Sequence, residues 1–114
     1  RYPVKIVAAV KSGPVLNDAT LEDAEQIGLE EIAEVITTGN DHIGINLEES
    51  SEEFLQCLRE VDLIIAKGQG HYESITEFEH LLSKPIIYVL RAKCILVAKS
   101  LAVQQYGNVV KAVM

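Results

Sequence analysis

The sequence predicts an α/β protein with a three-layer, Rossmann-like architecture, in which a small and mostly parallel sheet carries helices on both faces. Short runs rich in β-branched residues alternate with segments whose apolar residues recur at helical spacing, in the order β-α-β-α-β-α-β-α-β. Residues 4–10 are nearly continuous in apolar residues, which is typical of a strand buried on both faces of a parallel sheet. We therefore expect a single α/β domain over residues 1–114, with right-handed crossovers between parallel strands.

The individual elements follow from periodicity and from turn residues. The expected strands are at residues 34–38, 62–66, 86–90 and 108–113, in addition to the first. Thr20 and Asp23 form a capping-box pattern, which predicts a helix from there to about Ile32. Ser50 or Ser51 begins the second helix, and a third helix follows Gly70. Pro85 cannot continue that third helix, so it precedes the fourth strand, and residues 93–101 form the last helix.

Composition and charge exclude several classes of protein. Hydrophobic residues make up 48% of the chain, which is enough to fill a core and excludes intrinsic disorder. The apolar runs are far shorter than the roughly 20 residues that a membrane helix requires, so no membrane partner is expected. Asp and Glu outnumber Lys and Arg by 17 to 10, and the net charge of −7 makes nucleic acid an unsuitable partner. The two cysteines, Cys57 and Cys94, lack zinc-type spacing, and we expect free thiols in the cytoplasm.

Asn17 and Asp18 stand where the first strand gives way to the first helix. Open α/β sheets bind ligands at the carboxyl ends of their strands, and a carboxylate there suits a hard divalent cation such as Mg²⁺ or Mn²⁺. The Asn17 amide could orient that carboxylate or bind a substrate oxygen. The same pair also fits an Asx turn in which Asp18 only helps to cap the helix, and the residues alone leave both interpretations open.

A second junction, Lys67-Gly68-Gln69-Gly70-His71, follows the third strand. A lysine that ends a buried strand is unfavourable unless an anion meets its charge. The glycines let the backbone approach a ligand, and the following helix would direct its N-terminal dipole at a phosphate. The loop matches neither the Walker A nor the dinucleotide-binding pattern, and a glycine turn beside a solvated lysine explains it equally well. We predict that both junctions face one site, which handles a phosphate with a metal.

Two further residues are weaker candidates. Lys93 follows the fourth strand as Lys67 follows the third, so it could be a second phosphate contact or an exposed lysine at a helix start. His71 is the histidine nearest the predicted site and could serve as a general acid or remain an ordinary loop residue. The residues alone do not decide between these roles.

Three stretches of the chain, SGPVLNDATLEDA, VDLIIAKGQGHYESI and IIYVLRAKC, together resemble the C-terminal half of the metal-dependent damage-control phosphatases, also known as domain-of-unknown-function family 89. The resemblance covers roughly residues 3–113. In that family an Asp-Asn pair on an earlier strand holds a metal together with the Asp of an Asn-Asp-Ala-Thr motif, which matches Asp18 with Asn17 beside it. The family's loop lysine, expected to contact the substrate phosphate, matches Lys67, and residues 68–70 match as they stand.

The chain departs from the family pattern in two respects. His71 stands where the family usually has Asn, which bears on the detailed substrate contact. No Asp-Asn pair precedes Asn17, and the family's helical N-terminal region is missing. The resemblance therefore implies a C-terminal portion of a longer enzyme, which carries part of the metal site and has the missing N-terminal part of the same protein as its partner.

The resemblance implies a metal-dependent phosphomonoester hydrolase that acts on small phosphorylated metabolites, either sugar phosphates or damaged cofactor precursors. A divalent cation (Mg, Mn, Co or Ni), bound by Asp18, would neutralise phosphoryl charge. Lys67 would hold phosphate oxygens, with Asn17 and residues 68–71 as further substrate contacts. The alternative is a non-catalytic Rossmann-like domain that binds a phosphometabolite or a nucleotide. A third hypothesis is an assembly module whose exposed apolar face docks the missing half.

Overall fold

A computed structural model of the chain describes residues 4–13, 18–39 and 44–114. Strands β1 to β5 cover Val7–Val10, Glu34–Thr37, Ile64–Lys67, Ile86–Arg91 and Asn108–Val113. Helices α1 to α5 cover Leu21–Gln26, Glu52–Glu60, Gln69–Ile75, Glu79–Leu82 and Ile95–Ser100. Two single turns of 3-10 helix lie at Leu29–Glu31 and Leu47–Glu49.

The predicted α/β class is confirmed, with small and mostly parallel sheets and with strands and helices in the expected order. The described strands pair in two sheets rather than in the one expected: β1 with β2, and β3 with β4 and β5. The chain also divides after Cys57, within α2, into two compact units. The two units are described in turn.

The first unit contains the parallel pair β1 and β2, in register from Val7 opposite Glu34 to Val10 opposite Thr37. Among its described residues, the buried apolar side chains are Val10, Ala24, Ile36 and Phe54. The chain leaves β2 at Thr38, whose carbonyl accepts a hydrogen bond of 2.9 Å from the Ser51 backbone N–H. The Ser51 hydroxyl in turn accepts from the N–H of Phe54, so Ser51 caps α2, as one of the two predicted alternatives.

Helix α1 begins as predicted and ends earlier than predicted. The Thr20 hydroxyl accepts from the Asp23 N–H, and the Asp23 carboxylate accepts from the Thr20 N–H, so the capping box is present. The helix ends at Gln26 rather than near Ile32, because Gly28 adopts a left-handed backbone with φ of 71°. The apolar periodicity continues through a 3-10 turn, which is why the sequence pattern extended the helix too far.

The second unit is organised around β4, the central strand of its sheet. Three alternate side chains of β4, Ile86, Tyr88 and Leu90, are buried, and Tyr88 is 0% exposed. Strand β3 runs parallel to β4, with Lys67 opposite Val89. The carboxyl ends of β3 and β4 therefore lie at the same edge of this sheet.

Strand β5 runs antiparallel to β4, with Arg91 opposite Asn108. The connection after α5 returns the chain directly to the end of β4, where the Ala92 N–H donates to the Gly107 carbonyl at 2.9 Å. The Tyr106 N–H also donates to the Ala92 carbonyl. Because β5 starts where β4 ends, it can pair only in the reverse direction, which strand-helix alternation alone does not reveal.

The helix predicted after the glycine loop is two helices, α3 and α4. The break follows Thr76, whose hydroxyl donates to the carbonyls of Tyr72 at 2.8 Å and Glu73 at 3.1 Å. Bonds of this kind from threonine to the preceding turn compete with the helical backbone pattern. The helical spacing of apolar residues across residues 75–82 therefore continues through a break between α3 and α4.

Tyr88 is the most buried large side chain of the second unit. Its hydroxyl donates to the Glu79 carboxylate, and its ring meets that of Tyr72 edge-on, with the centroids 5.2 Å apart. Burial is the main cause that raises the pKa of Tyr88 well above its ordinary value, and the hydrogen bond to Glu79 adds to it. The folded protein therefore holds this phenol in its neutral form.

We expect the free energy of unfolding to fall as pH rises above about 10, the ordinary tyrosine pKa. Above that pH the unfolded chain releases the Tyr88 proton while the folded chain retains it, so the slope approaches about 1.4 kcal/mol per pH unit. Tyr88→Phe should lack this contribution, and urea unfolding of both proteins across this pH range measures it. Tyr106→Phe is the matched control, because Tyr106 is exposed. Identical alkaline slopes for the Tyr88→Phe variant and the native protein would contradict the expectation.

Neither cysteine forms a disulfide, as the sequence predicted, and both Cys57 and Cys94 are half-buried rather than buried. Over the described ranges, no helix combines the length and the apolar character needed to cross a membrane.

Candidate active site

Asp18 directly precedes a segment that is hydrogen-bonded to the end of β1. The Lys11 N–H donates to the Ala19 carbonyl at 2.9 Å, and the Leu21 N–H donates to the Lys11 carbonyl at 3.2 Å. These two bonds join that segment to the strand, so Asp18 is held near the carboxyl end of β1, where the sequence predicted it. Its neighbour Asn17 falls outside the described residues.

The cap of α1 is provided by Thr20 rather than by Asp18. The Thr20 N–H and hydroxyl both donate to the Asp23 carboxylate at 3.0 Å. The sequence left two interpretations of Asp18 open. Because Thr20 is the cap, the structure does not support the interpretation in which Asp18 helps to cap the helix. The half-buried Asp18 carboxylate lies before the cap.

Lys11 is a candidate residue that sequence reasoning missed. It directly follows β1, is 2% exposed, and donates through Nζ to the Gly44 carbonyl. Burial lowers the pKa of Lys11 below its ordinary value, and the nearby Asp18 carboxylate opposes that shift. The sequence pattern that singled out Lys67, a lysine at the end of a buried strand, would also have identified Lys11.

Lys67 is the last residue of β3, and its side chain is exposed. Gly68 follows with φ of 104° and ψ of 152°, a conformation that is strained for any residue with a Cβ atom. The Gly68 N–H donates to the Val89 carbonyl at 2.8 Å, which joins the loop to β4. This amide is therefore engaged within the sheet, whereas the sequence suggested that the loop amides point at a ligand.

The glycine loop is shorter than its sequence suggests, because α3 already begins at Gln69. Gly70 therefore lies within the helix rather than in the turn before it, and only Gly68 has a positive φ there. With seven residues, α3 is a short helix, and its dipole contributes correspondingly little at the loop.

His71 is held against the loop that it follows. Its Nδ1 lies 2.6 Å from the Lys67 carbonyl oxygen. A carbonyl only accepts hydrogen bonds, so Nδ1 carries the proton and Nε2 is the ring nitrogen left to act on a ligand. The bond fixes the ring orientation next to Lys67.

Gln69 connects two loops of the second unit. Its Oε1 accepts from the N–H of Lys93 at 2.7 Å and from the N–H of Cys94 at 3.0 Å. Gln69 therefore satisfies the N–H of Cys94, the N-cap residue of α5, whose own side chain makes no capping hydrogen bond. The sequence placed Gln69 among the substrate contacts and did not foresee this engagement of its oxygen.

The Asp18 loop belongs to the first unit and the Lys67 loop to the second. That the two loops face one site stays a prediction. Among the residues that the structure describes, no three His, Cys, Asp or Glu side chains are grouped so that they could hold a metal. Asp18 alone offers one hard oxygen ligand, which does not make a complete divalent cation site.

Comparison with known proteins connects this geometry to a family. Residues 1–109 match the family model described as the damage-control phosphatase ARMT1-like domain. An uncharacterized protein of Methanocaldococcus jannaschii is 58% identical over 109 residues, which are 96% of this chain and 36% of that protein. A damage-control phosphatase of Pyrococcus horikoshii is 41% identical, over 87% of this chain and 33% of that protein.

Two further comparisons agree. A damage-control phosphatase of Archaeoglobus fulgidus is 39% identical, over 96% of this chain and 37% of that protein. A crystal structure of a domain-of-unknown-function 89 family protein from Pyrococcus horikoshii superposes with a TM-score of 0.82 at 39% identity, over 91% of this chain and 35% of that chain. The chain thus spans about a third of the length of the curated relatives it matches. By sequence and by fold, it belongs to the damage-control phosphatase family with the ARMT1-like domain.

Proposed function

We propose that this protein is a metal-dependent phosphatase that hydrolyses small phosphorylated metabolites, such as sugar phosphates or damaged cofactor precursors. The observation that carries the proposal is the loop at the end of β3. There the exposed Lys67 precedes Gly68, whose φ of 104° favours glycine, and His71 is bonded to the carbonyl of Lys67 itself. Membership in a family whose relatives are named damage-control phosphatases supports the same conclusion.

The positions of the lysines support a phosphate ligand. The net charge of the chain is −7, so a phosphorylated substrate requires local positive charge. In the second unit, Lys67 and Lys93 each stand at or just after the carboxyl end of a strand, where α/β sheets bind ligands. In the proposed enzyme, the Lys67 ammonium binds the phosphate oxygens and opposes the charge that develops on them during transfer.

Asp18 is the proposed metal ligand of this chain, with Asn17 beside it in sequence. Among the described residues, no group of three His, Cys, Asp or Glu side chains is arranged to hold a metal. The relatives are about three times as long as the region that this chain matches. We propose that sequence corresponding to the remainder of such relatives provides the other metal ligands. On this proposal the chain is one α/β domain from the C-terminal part of a cytoplasmic enzyme and contributes part of the active site.

The alternative is a domain that binds a phosphometabolite or a nucleotide without catalysis. One observation favours it: within residues 4–13, 18–39 and 44–114, no three His, Cys, Asp or Glu side chains are grouped so that they could hold a metal. Such a domain would keep the Lys67 contact and would need no metal.

The test is an assay of the intact protein against a panel of phosphate esters, after treatment with a chelator and after addition of Mg²⁺, Mn²⁺, Co²⁺ or Ni²⁺. We expect release of inorganic phosphate that the chelator abolishes and at least one cation restores. Thermal stabilisation by a phosphate ester, without turnover in any cation, would establish the binding alternative instead. Turnover that survives the chelator would overturn the metal dependence.

A further inference from the structure

The His71 imidazole is held through one ring nitrogen and presents the other. Its Nδ1 donates to the Lys67 carbonyl oxygen at 2.6 Å, so the ring is fixed on the residue whose ammonium is the proposed phosphate contact. The side chain is half-buried, and Nε2 lies on the side of the ring away from this bond. The imidazole therefore has a defined orientation and a second nitrogen available beside any group that Lys67 binds.

The backbone around His71 is also held. Its carbonyl accepts a bond of 3.3 Å from the Ser74 hydroxyl. A Cβ atom at Gly68 would stand 3.9 Å from His71 Nδ1, and the φ of 104° at Gly68 favours glycine, so backbone rather than a side chain lies on that side of the ring. The ring is thus positioned before a substrate arrives, as an effective proton donor requires.

The bond to the Lys67 carbonyl suits both protonation states of the imidazole. The neutral ring with its proton on Nδ1 makes this bond, and the imidazolium keeps it and adds a proton on Nε2. A proton that leaves Nε2 therefore leaves the ring in the tautomer that the bond already selects. Nε2 can gain and lose its proton without reorientation of His71.

We propose that His71 is a catalytic residue, the general acid that protonates the leaving oxygen of the phosphate ester through Nε2. This inference rests on the proposed function, because it assigns a role in that reaction. The bond between phosphorus and the ester oxygen breaks, its electron pair stays on that oxygen, and the Nε2 proton moves to it, which gives an alcohol and a neutral His71. Over the complete hydrolysis, water supplies the new bond to phosphorus and the proton that restores the imidazolium.

A purely structural role for His71, in which the Nδ1 bond only steadies the Lys67 loop, makes different predictions. Loss of such a bond would affect every phosphate ester alike and would weaken the binding of inorganic phosphate. A general acid matters most where the leaving oxygen is strongly basic. It should be important for an alkyl phosphate and unimportant for p-nitrophenyl phosphate, whose phenolate leaves without a proton.

The experiment compares kcat of the native protein and of His71→Asn on an alkyl phosphate and on p-nitrophenyl phosphate. Asparagine retains a side-chain N–H donor but cannot transfer a proton to the leaving oxygen. We expect kcat to fall about 100-fold on the alkyl phosphate, a usual contribution of a general acid, and by less than about threefold on the nitrophenyl ester. The dissociation constant of inorganic phosphate, measured by calorimetry, should keep its native value, because this ligand has no leaving group.

His80→Asn is the matched control, because His80 is exposed in α4 and its substitution should change neither rate. Equal losses on the two esters in an active protein would overturn the general-acid role and leave the proposed function standing. If the native protein releases phosphate from no ester with any cation, the proposed function fails and the role of His71 fails with it.

A second measurement requires no turnover. Nitrogen-15 NMR of the intact protein distinguishes the two neutral tautomers of a histidine, and the His71 signals are those that disappear in His71→Asn. We expect the neutral ring to carry its proton on Nδ1. A proton on Nε2 instead would overturn the proposal, because the bond to the Lys67 carbonyl that orients the ring would then be absent.

Discussion

Asp18→Asn is expected to lower kcat for phosphate ester hydrolysis by at least about 100-fold. Asparagine keeps the shape of the side chain but removes the negative charge that makes Asp18 a ligand for a hard cation. Even partners that only orient metal ligands contribute about 10–100-fold, so loss of a ligand should cost at least that much. The measurement is steady-state hydrolysis of the best substrate of the panel over a range of cation concentrations.

The substitution should leave the fold intact, because the bonds that hold the following segment to β1 join backbone atoms of Lys11, Ala19 and Leu21. Asp62→Asn is the matched control, since Asp62 is an exposed carboxylate just before β3, at the opposite end of that strand from Lys67. Activity within about threefold of the native protein would exclude Asp18 from the metal site, since each factor of ten corresponds to about 1.4 kcal/mol.

Lys67→Met is expected to lower kcat/KM by about 10²–10³, the usual cost of removing one preorganised donor from a charged transition state. Methionine preserves most of the length of the side chain and removes only the ammonium. Because Lys67 is exposed, its substitution should change the free energy of unfolding by no more than about 0.5 kcal/mol. The loss of activity would then report on the reaction rather than on folding.

Lys99→Met, which removes the same charge from the surface of the same unit, controls for net charge. The phosphate dissociation constant of Lys67→Met should rise together with the loss of kcat/KM. If kcat/KM falls while phosphate affinity does not, Lys67 does not bind the phosphate. If neither quantity changes, the loop after β3 is a glycine turn with a solvated lysine.

The loop after β3 illustrates how far sequence reasoning reached. A lysine at a strand end followed by two glycines was visible as a pattern, and Lys67 and Gly68 lie as expected. The role of each glycine was not visible, because Gly68 alone has the positive φ and Gly70 is helical. The sequence suggested that Gln69 contacts a ligand. Its actual partners could not be seen locally, because Lys93 and Cys94 are 24 and 25 residues away along the chain.

The burial of Lys11 and the direction of β5 were not visible in the sequence, for the same reason. The buried Lys11 donates to the carbonyl of Gly44, which is 33 residues away, and no local pattern encodes that contact. The antiparallel direction of β5 depends on where the chain after α5 meets the end of β4. By contrast, the Thr20–Asp23 capping box spans three residues, and the sequence predicted it correctly.

The sequence by itself determined the order of strands and helices, the first cap, the junctions at Asp18 and Lys67, and the resemblance to the family. These features follow from local periodicity, from turn chemistry and from motifs that extend over a few residues. Only the tertiary structure decided that Lys11 is buried, that Gln69 bonds the Lys93 segment and that β5 reverses. Each of these features depends on burial or on hydrogen bonds between residues that are distant in the chain. The free energy of burying a polar group depends on the partners that the tertiary fold places beside it.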